Sequence, residues 1–436
     1  MPQQTSDQLR LIDASGVGLR VGLVVLTLLA FFGSWCAARW YAGSEIALAA
    51  TQLPENALGA AETANRLAPG DPMAHWSLAS LEQRSLGPDA LKASIAEYEK
   101  AVSLSPSDFR LWTDLGRAKE QADDIQGAEH ALRRGVELAP YYAWPRWHLG
   151  NFLVRRGRFD EGLAELRRVA ETDPSKRGMV FDLAWMIYGG EVNTVKGTLG
   201  NSPSVQADFV SYLLGRGRLD EALQLWNGLS AQEKTESEAI GKSLIDSLLA
   251  AKRHRDVLGV SRDLAGGKSP AEIGKISNGS FEAPIPQGGG LFDWKVQSVP
   301  QASVALESGG AQNGELSLRV NFNAPGALDF NITQLVAVEP ATSYRLTFYV
   351  KANNLKSASM PVVQVLIGEG TVLAESASPP AGKSDWQQFS LDFKTPPKID
   401  GIAVRISRKP CTAEEGVCPI FGTVWYDNFN LQLAGR

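Results

Sequence analysis

Few residues of this chain have the types and the spacing that chemistry at a site requires. Its three cysteines are Cys36, Cys411 and Cys418, which are too few for a structural zinc site or a disulfide scaffold. The four histidines form no HxxxH or HExxH pair, and all lie in the helix-like part of the chain, where we expect packing or surface roles. The pattern does not predict a metalloenzyme.

The sequence also lacks the motifs of common catalytic sites. It contains no phosphate-binding loop, no GxSxG and no nucleophile with an obvious local base. The run Gly288-Gly289-Gly290 has no strand–helix context, and Asp123-Asp124 and Glu414-Glu415 lie in polar turns. We therefore predict a protein that is not an enzyme and has no catalytic residues.

Composition and charge further limit the class of protein and the partners it can have. The chain has 436 residues, 44% of them hydrophobic and 21% charged, as expected of two or three ordinary globular domains. Its net charge of −5 offers no broad attraction for nucleic acid, so no nucleic-acid partner is expected.

Cys411 and Cys418 enclose a short loop before the last predicted strand. A disulfide across so short a loop is sterically reasonable, would stiffen it and would imply an oxidising compartment. The alternative is a free, reduced pair. A zinc site lacks a neighbouring histidine or a further cysteine.

The carboxyl-terminal third shows the alternation of β-strands. In Tyr344–Lys351 the apolar Leu346, Phe348 and Val350 share one face, so Thr347, Tyr349 and Lys351 face outward. Leu316–Val320 and Ile402–Ile406 alternate in the same way. We predict an antiparallel β-sandwich over residues 276–436, preceded by a linker over 265–275.

The order of motifs in this third resembles the galactose-binding-like jelly roll shared by several families of carbohydrate-binding modules. The residues that carry the resemblance are Asn278–Glu282, Trp294, Gly314, Trp386–Phe389 and Val424–Phe429. The resemblance implies a jelly-roll fold and the binding of a polysaccharide.

The same resemblance implies a structural calcium ion, held by the carboxylates of Glu282 and Asp427 where the first and last strands meet. No other cofactor is expected. The alternative is that these carboxylates accept hydrogen bonds from backbone amides.

Six residues are candidates for glycan binding. Tyr349 supplies an aromatic face with Lys351 beside it, and we expect Gln364 and Arg405 to join them from neighbouring strands. Trp294 and Trp386 are further stacking platforms if they are exposed. The alternative for both tryptophans is packing inside the sandwich.

The amino-terminal part has a period of 34 residues, marked by Pro106, Pro140 and Pro174. Leu115-Gly116 and Leu149-Gly150 recur at the same period, and the fullest copy begins at Trp112. A fixed period of this length is typical of two-helix repeats that stack, and this copy resembles the tetratricopeptide repeat. We predict an α-solenoid over residues 44–264 that binds a protein partner.

The middle repeats are rich in arginine. Arg133, Arg155 and Arg158 are candidates for a groove that binds an acidic peptide or an anionic glycan. The alternative is that these arginines lie on solvated helix faces and are balanced by neighbouring glutamates.

An uncharged apolar run extends from Val21 to Ala38, and Trp40 and Tyr41 follow it as an interfacial belt. We predict a transmembrane anchor over residues 21–41 with a cytoplasmic tail over 1–20. The alternatives are a cleaved signal peptide and a lipoprotein signal, although Trp35 before Cys36 fits a lipoprotein signal poorly. Arg10 and Arg20 before the span favour an extracytoplasmic location for the rest of the chain.

These predictions lead to two hypotheses of function. The first is an adaptor in the bacterial inner membrane, which holds a protein partner on its repeats and an envelope or exported polysaccharide on its β-sandwich. The second is a purely protein–protein scaffold whose β domain binds no sugar.

Overall fold

The computed structural model describes residues 16–52, 56–85, 87, 89–267, 271–288, 290–368, 370–409, 411 and 417–435. Most of the predicted cytoplasmic tail, the Glu414-Glu415 pair and most of the loop between Cys411 and Cys418 lie outside these ranges. The chain forms two compact units, residues 1–205 and 206–436.

The first unit begins with one long helix, α1 (Val17–Ala50). Among the described residues it is the one helix that is long and apolar enough to cross a membrane. Its large apolar side chains before Tyr41 are exposed, whereas Gly43, Ala47 and Ala50 are buried against the helices that follow.

Paired antiparallel helices follow α1. Their bounds are α2 (Ala57–Leu67), α3 (Pro72–Glu82), α4 (Ala90–Leu104), α5 (Phe109–Gln121), α6 (Ile125–Leu138), α7 (Ala143–Arg155) and α8 (Phe159–Thr172). Pro106, Pro140 and Pro174 each lie two residues beyond the end of a second helix, where the lack of an N–H cannot break the helix. The predicted helical hairpins are confirmed.

The repeated glycines explain how closely each pair of helices packs. A Cβ atom added at Gly116 would lie 2.7 Å from Cγ of Leu132, and one added at Gly150 would lie 2.7 Å from Cγ of Leu166. Leu132 and Leu166 are fully buried, so the small residue on one helix receives the leucine of its partner. The first unit continues with α9 (Arg177–Ile187) and α10 (Val192–Leu199).

Helices also open the second unit. α11 (Pro203–Gly215) crosses the boundary between the units, and α12 (Leu219–Asn227), α13 (Ala231–Glu236), α14 (Glu238–Ala250) and α15 (His254–Leu264) follow it. Trp226 of α12 is fully buried between helices, whereas Trp112 and Trp147 in the first unit are half-buried.

The rest of the second unit is a sandwich of two antiparallel sheets. Sheet A has the strand order β1-β4-β9-β6-β7, and sheet B has the order β2-β3-β10-β5-β8. The strands are β1 (Lys295–Val296), β2 (Ala302–Ser308), β3 (Leu316–Ala324), β4 (Asn331–Ala337), β5 (Ser343–Ser357), β6 (Pro361–Ile367), β7 (Thr371–Glu375), β8 (Gly382–Lys394), β9 (Gly401–Arg408) and β10 (Ile420–Leu433). The predicted fold class, helical repeats followed by an antiparallel β-sandwich, is confirmed.

One core fills the space between the sheets. Leu346, Phe348 and Val350 of β5 are all buried in it, as their alternation predicts, and β9 contributes Val404 and Ile406 from the opposite sheet. Since neighbouring residues of a strand point to opposite faces, this core determines which side chains each sheet presents to solvent.

Candidate functional site

The outer face of sheet B carries a group of aromatic side chains. Tyr349, Trp386 and Trp425 are half-buried there, and Phe421 is 38% exposed. Trp425 lies between the inward-facing Val424 and Tyr426, and this alternation directs its ring away from the core. The five strands of sheet A contain no aromatic residue.

Lys351 lies at the centre of this aromatic face. It is directly opposite Trp425 in the ladder between β5 and β10. Its Nζ is 5.5 Å from the centre of the Trp425 ring and 5.9 Å from the centre of the Trp386 ring. At these distances the ammonium interacts favourably with both indole rings.

Hydrogen bonds at their edges hold both indoles in place. Nε1 of Trp386 donates to the carbonyl oxygen of Gly310 at 3.0 Å, and Nε1 of Trp425 donates to Glu307. Glu307 also accepts a hydrogen bond of 2.9 Å from Arg319, the neighbour of Trp425 on β3. Because the N–H groups are already used, a ligand at this face would meet the rings themselves.

Gln364 and Arg405 do not join this group, because they lie on β6 and β9 of sheet A. The expectation that they share a face with Tyr349 and Lys351 is therefore wrong. The two residues are directly opposite each other, and the Arg405 guanidinium donates to Oε1 of Gln364 at 2.6 and 3.1 Å.

Further polar contacts continue this row across sheet A. Nε2 of Gln364 donates to Glu375 at 2.8 Å, and Glu375 forms an ion pair with Lys409. Partial burial raises the pKa of Glu375, whereas the hydrogen bonds from Lys409 and Gln364 lower it. The lowering is the larger effect, so the pKa of Glu375 lies below its usual value. The polar groups of this row are thus largely bonded to one another.

Trp294 is not a stacking platform, because only 2% of its surface is exposed. Its ring packs against Phe281 and Phe429 at centroid distances of 5.4 and 5.2 Å, and its Nε1 donates to the carbonyl oxygen of Asn278 at 3.2 Å. Trp294 is a packing residue, which is the alternative that the sequence left open.

The two candidate calcium ligands, Asp427 and Glu282, accept hydrogen bonds from backbone amides. Oδ2 of Asp427 accepts from the N–H groups of Gln312 and Asn313 at 2.8 and 3.0 Å, and Oδ1 accepts from Asn428 at 2.7 Å. Glu282 accepts from two amides at the start of β3, both at 3.0 Å. This is the backbone-donor arrangement, and no cluster of three or more possible metal ligands occurs among the described residues.

Burial is the main reason why the pKa of Asp427 is raised, and the negative charge of Glu282 adds to the effect. Three backbone hydrogen bonds oppose the increase without cancelling it. A cation near both carboxylates would relieve this repulsion, so a structural calcium ion stays a prediction that binding measurements can test.

Cys411 and Cys418 are joined by a disulfide in the structure, which is one of the two arrangements that the sequence left open. Cys418 is buried, and the guanidinium of Arg408 contacts its sulfur at 2.7 Å and its carbonyl oxygen at 3.0 Å. Both cysteines lie in the connection between β9 and β10, so the bond joins the two ends of this connection to each other.

The arginines predicted for a repeat groove are paired with glutamates. Arg133 and Arg158 both contact Glu129 and Glu161, at distances between 2.7 and 3.1 Å. Arg155 pairs with Glu120 at 2.7 Å. These contacts match the alternative of solvated, balanced helix faces, and they leave little charge for an acidic ligand.

The repeats instead contain an aromatic cavity that the sequence analysis did not predict. Its volume is about 410 Å³. The cavity is formed by the first helices of three consecutive hairpins and by Tyr142 directly before α7. Its lining residues are Met73, Trp76, Phe109, Arg110, Leu111, Asp114, Tyr142 and Trp144. The signal in the sequence was the run Tyr141–Trp144 directly after Pro140, with three aromatic residues in four positions.

The two charged residues of this cavity are already neutralised. Arg110 pairs with Asp108 at 2.6 Å. Asp114 accepts a hydrogen bond of 2.8 Å from Nε1 of Trp76 and pairs with Arg117 at 3.0 Å. The cavity therefore offers aromatic surface rather than net charge.

Comparison with known proteins gives a family match for the carboxyl-terminal part of the chain. Residues 274–412 match the family described as "Carbohydrate binding domain", which confirms the resemblance of the β-sandwich to carbohydrate-binding modules. A curated relative, cellulose synthase operon protein C of Pseudomonas fluorescens (strain SBW25), is 29% identical over 175 residues. That match spans 38% of this chain and 14% of the relative, so the chain covers a small part of the relative's length.

Two solved structures are each similar to about a third of the chain. One, described as "CBM4 structure and function", is 16% identical and covers 36% of this chain and 99% of its own, with a TM-score of 0.27. The other, YrrB, described as a TPR protein with an unusual peptide-binding site, is 22% identical and covers 37% of this chain and 83% of its own, with a TM-score of 0.28. At such low scores these likenesses do not bear on function.

Proposed function

We propose that the protein is a membrane-anchored, extracytoplasmic adaptor without catalytic activity. Its β-sandwich binds an envelope or exported polysaccharide, and its helical repeats bind a protein partner. The match of residues 274–412 to a carbohydrate-binding family supports the first activity. The name of the curated relative, which refers to a cellulose synthase operon, supports a polysaccharide as the ligand.

The observation that carries this proposal is the aromatic face of sheet B. Sugar rings present apolar C–H faces, and aromatic side chains with a polar neighbour are suited to stack on them. Trp386 and Trp425 are fixed at their edges and lie on either side of Lys351, so their position is set before a ligand arrives. Such preorganisation lowers the entropic cost of binding.

For the protein partner, the aromatic cavity between α3, α5 and α7 is the favoured site. Its volume of about 410 Å³ is sufficient for one or two large apolar side chains of a bound segment. A photo-crosslinking amino acid at Tyr142, which is 61% exposed, should capture the partner. The same probe at Arg134, on the charged face of α6, should not.

The proposed location is the bacterial inner membrane, with most of the chain outside the cytoplasm. Helix α1 is a candidate anchor by length and composition. The Cys411–Cys418 disulfide favours an oxidising compartment, since cytoplasmic thiols are normally kept reduced.

Glycan binding is tested with the full chain in detergent, first on an oligosaccharide array and then by titration with cellohexaose and with the best ligand of the array. We expect the double variant Trp386→Ala/Trp425→Ala to lower the affinity about tenfold or more, equivalent to about 1.4 kcal/mol. Arg405→Ala on sheet A is the matched control and should leave the affinity unchanged. A folded wild-type protein that binds no glycan would refute the proposal.

One observation favours the second candidate, a protein scaffold in which the β-sandwich caps the helical repeats. Asp400, directly before β9, accepts hydrogen bonds from the backbone N–H groups of His254 and Arg255 at the start of α15, at 3.0 and 3.1 Å. Arg255 also pairs with Glu339 at 3.0 Å. These contacts make the sandwich a cap for the last helix whether or not it binds sugar.

A further inference from the structure

Helix α1 joins the apolar segment to the first repeat without a break. Its residues Val17–Ala50 form one continuous α-helix, so there is no linker between the predicted span and the repeats. Up to Tyr41, which is 63% exposed, the large side chains face outward, and from Gly43 onward every third or fourth residue is buried against α2 and α3. The transition therefore takes place within two residues.

Three contacts fix the turn between α2 and α3 at this transition. A Cβ atom added at Gly43 would lie 2.6 Å from Cβ of Ala68, so glycine is required for this close approach. The guanidinium of Arg39 donates to the carbonyl oxygen of Arg66 at 2.6 Å, and Ser44 donates to Asp71. The turn is thus level with residues 39–44 of α1.

The helix geometry converts these contacts into a distance from the membrane. Gly43 is two residues beyond Tyr41, the end of the predicted span, which corresponds to about 3 Å along the helix axis. The turn of residues 68–71 consequently lies at the depth of the lipid headgroups when α1 spans a bilayer. Trp40 and Tyr41, which are 51% and 63% exposed, belong to the aromatic belt at the same depth.

The charges at this depth suit phosphate groups. Arg39 and Arg66 both have exposed side chains here, and guanidinium groups bind phosphate oxygens well. The carboxylate of Asp71 is buried and accepts hydrogen bonds from Ser44 and from the backbone of Met73, so it does not face the lipid. Glu45 is the one acidic residue of α1, and it lies about 6 Å beyond Tyr41 along the axis.

We infer that the turn between α2 and α3 docks on the phospholipid headgroups, with Arg39 and Arg66 binding lipid phosphates. This inference rests on the proposed membrane anchor and adds to it. An anchor alone would tether the repeats at any distance, whereas this arrangement fixes the first hairpin against the bilayer.

Two glycines provide a matched pair of labelling positions. Gly70 lies in the turn and Gly59 near the start of α2, and at both a Cβ atom meets nothing within 4 Å. In a Cys36→Ser background, Gly70→Cys and Gly59→Cys each accept one fluorescent label, because Cys411 and Cys418 are bonded to each other. The labelled full chain is reconstituted into phosphatidylcholine–phosphatidylglycerol vesicles that contain a headgroup nitroxide quencher.

Since α2 rises about 12 Å from residue 59 to its end, we expect the label at Gly70→Cys to be quenched at least about twofold more strongly than the label at Gly59→Cys. Equal quenching in vesicle-bound protein would overturn the inference. Protein that does not float with the vesicles would instead refute the anchor itself. A Gly-Ser-Gly insertion after Tyr41 should abolish the difference, and a difference that survives the insertion would contradict the rigid coupling.

Discussion

The two sheets of the sandwich share a core but differ in the chemistry of their outer faces. Sheet B presents aromatic rings whose edges are hydrogen-bonded and whose faces are partly open. Sheet A presents a polar row in which Arg405, Gln364 and Glu375 are bonded to one another. A polar group that already has a hydrogen-bonding partner contributes little binding free energy to a ligand, whereas an exposed aromatic face contributes binding free energy when a ligand covers it.

An outward-facing polar residue is not by itself a sign of a binding site. Arg405 and Gln364 have the residue types that glycan recognition needs, yet each is the hydrogen-bonding partner of the other. Lys351 has the same general character but contacts two aromatic rings instead of a carboxylate. The difference lies in what each side chain touches.

The largest effect is expected from Asp427→Asn in sheet B. The carboxylate holds the backbone of Gln312 and Asn313, close to Gly310, which in turn accepts the Trp386 indole N–H. An amide cannot accept all three backbone hydrogen bonds, so we expect the free energy of unfolding to fall by about 2 kcal/mol. Urea denaturation measures this loss, and weaker glycan binding should accompany it because Trp386 loses its support.

The pH dependence of the same variant provides an internal control. Burial raises the pKa of Asp427, so the carboxyl group of Asp427 binds a proton more tightly in the folded protein than in the unfolded chain. The wild-type free energy of unfolding should therefore decrease as the pH rises from the ordinary aspartate pKa to the raised one, and the variant should lack this contribution. If calcium occupies the site, it should raise the melting temperature of the wild type only.

A smaller effect is expected from Gln364→Ala in sheet A. The substitution removes the acceptor of Arg405 and Ser407 and the donor to Glu375, and it should lower the free energy of unfolding by about 1 kcal/mol. Glycan affinity, measured by titration at a temperature where the variant is folded, should not change. A clear loss of affinity would move the binding face to sheet A.

The sequence was sufficient to predict the elements but not their pairing. The period of Pro106, Pro140 and Pro174 indicates where helices end, because proline and its neighbours act locally. The alternation of Tyr344–Lys351 likewise determines which of its side chains face outward. Both inferences depend on contacts within one element or its nearest neighbour.

Sheet membership depends on contacts between distant parts of the chain. β6 follows β5 in sequence but pairs with β9 in the other sheet, so Gln364 lies opposite Arg405 and away from Tyr349. Trp425 was within reach of prediction, since Val424 and Tyr426 on either side of it are core residues. The aromatic run after Pro140 indicates aromatic surface but not the cavity lined by Trp76 and Trp144, because the cavity arises only where three hairpins stack.

Lys351→Met tests what the cation contributes to the aromatic face. The change keeps the length of the side chain and removes the charge between the rings of Trp386 and Trp425, a contact worth about 0.5–1 kcal/mol at exposed sites. We expect a loss of glycan affinity of about threefold, equivalent to that range. If the loss disappears at high salt, Lys351 binds an anionic group of the glycan, and if it persists, Lys351 orders the two rings.

The smallest effect is expected from Tyr349→Phe, which removes the hydroxyl of Tyr349 and keeps its ring. Tyr349 lies opposite Gln388 at the edge of the aromatic face, next to Lys351 rather than between the tryptophans. Tyr349→Phe keeps the ring, so its affinity should stay within about twofold of wild type, whereas Tyr349→Ala should lose about 0.5–1.5 kcal/mol through the missing stacking surface. Titration of both variants with the same oligosaccharide measures the two affinities. A loss in Tyr349→Phe as large as the loss in Tyr349→Ala would mean that the hydroxyl binds the ligand, and sheet B would then recognise sugar by hydrogen bonds, which is the chemistry otherwise found on sheet A.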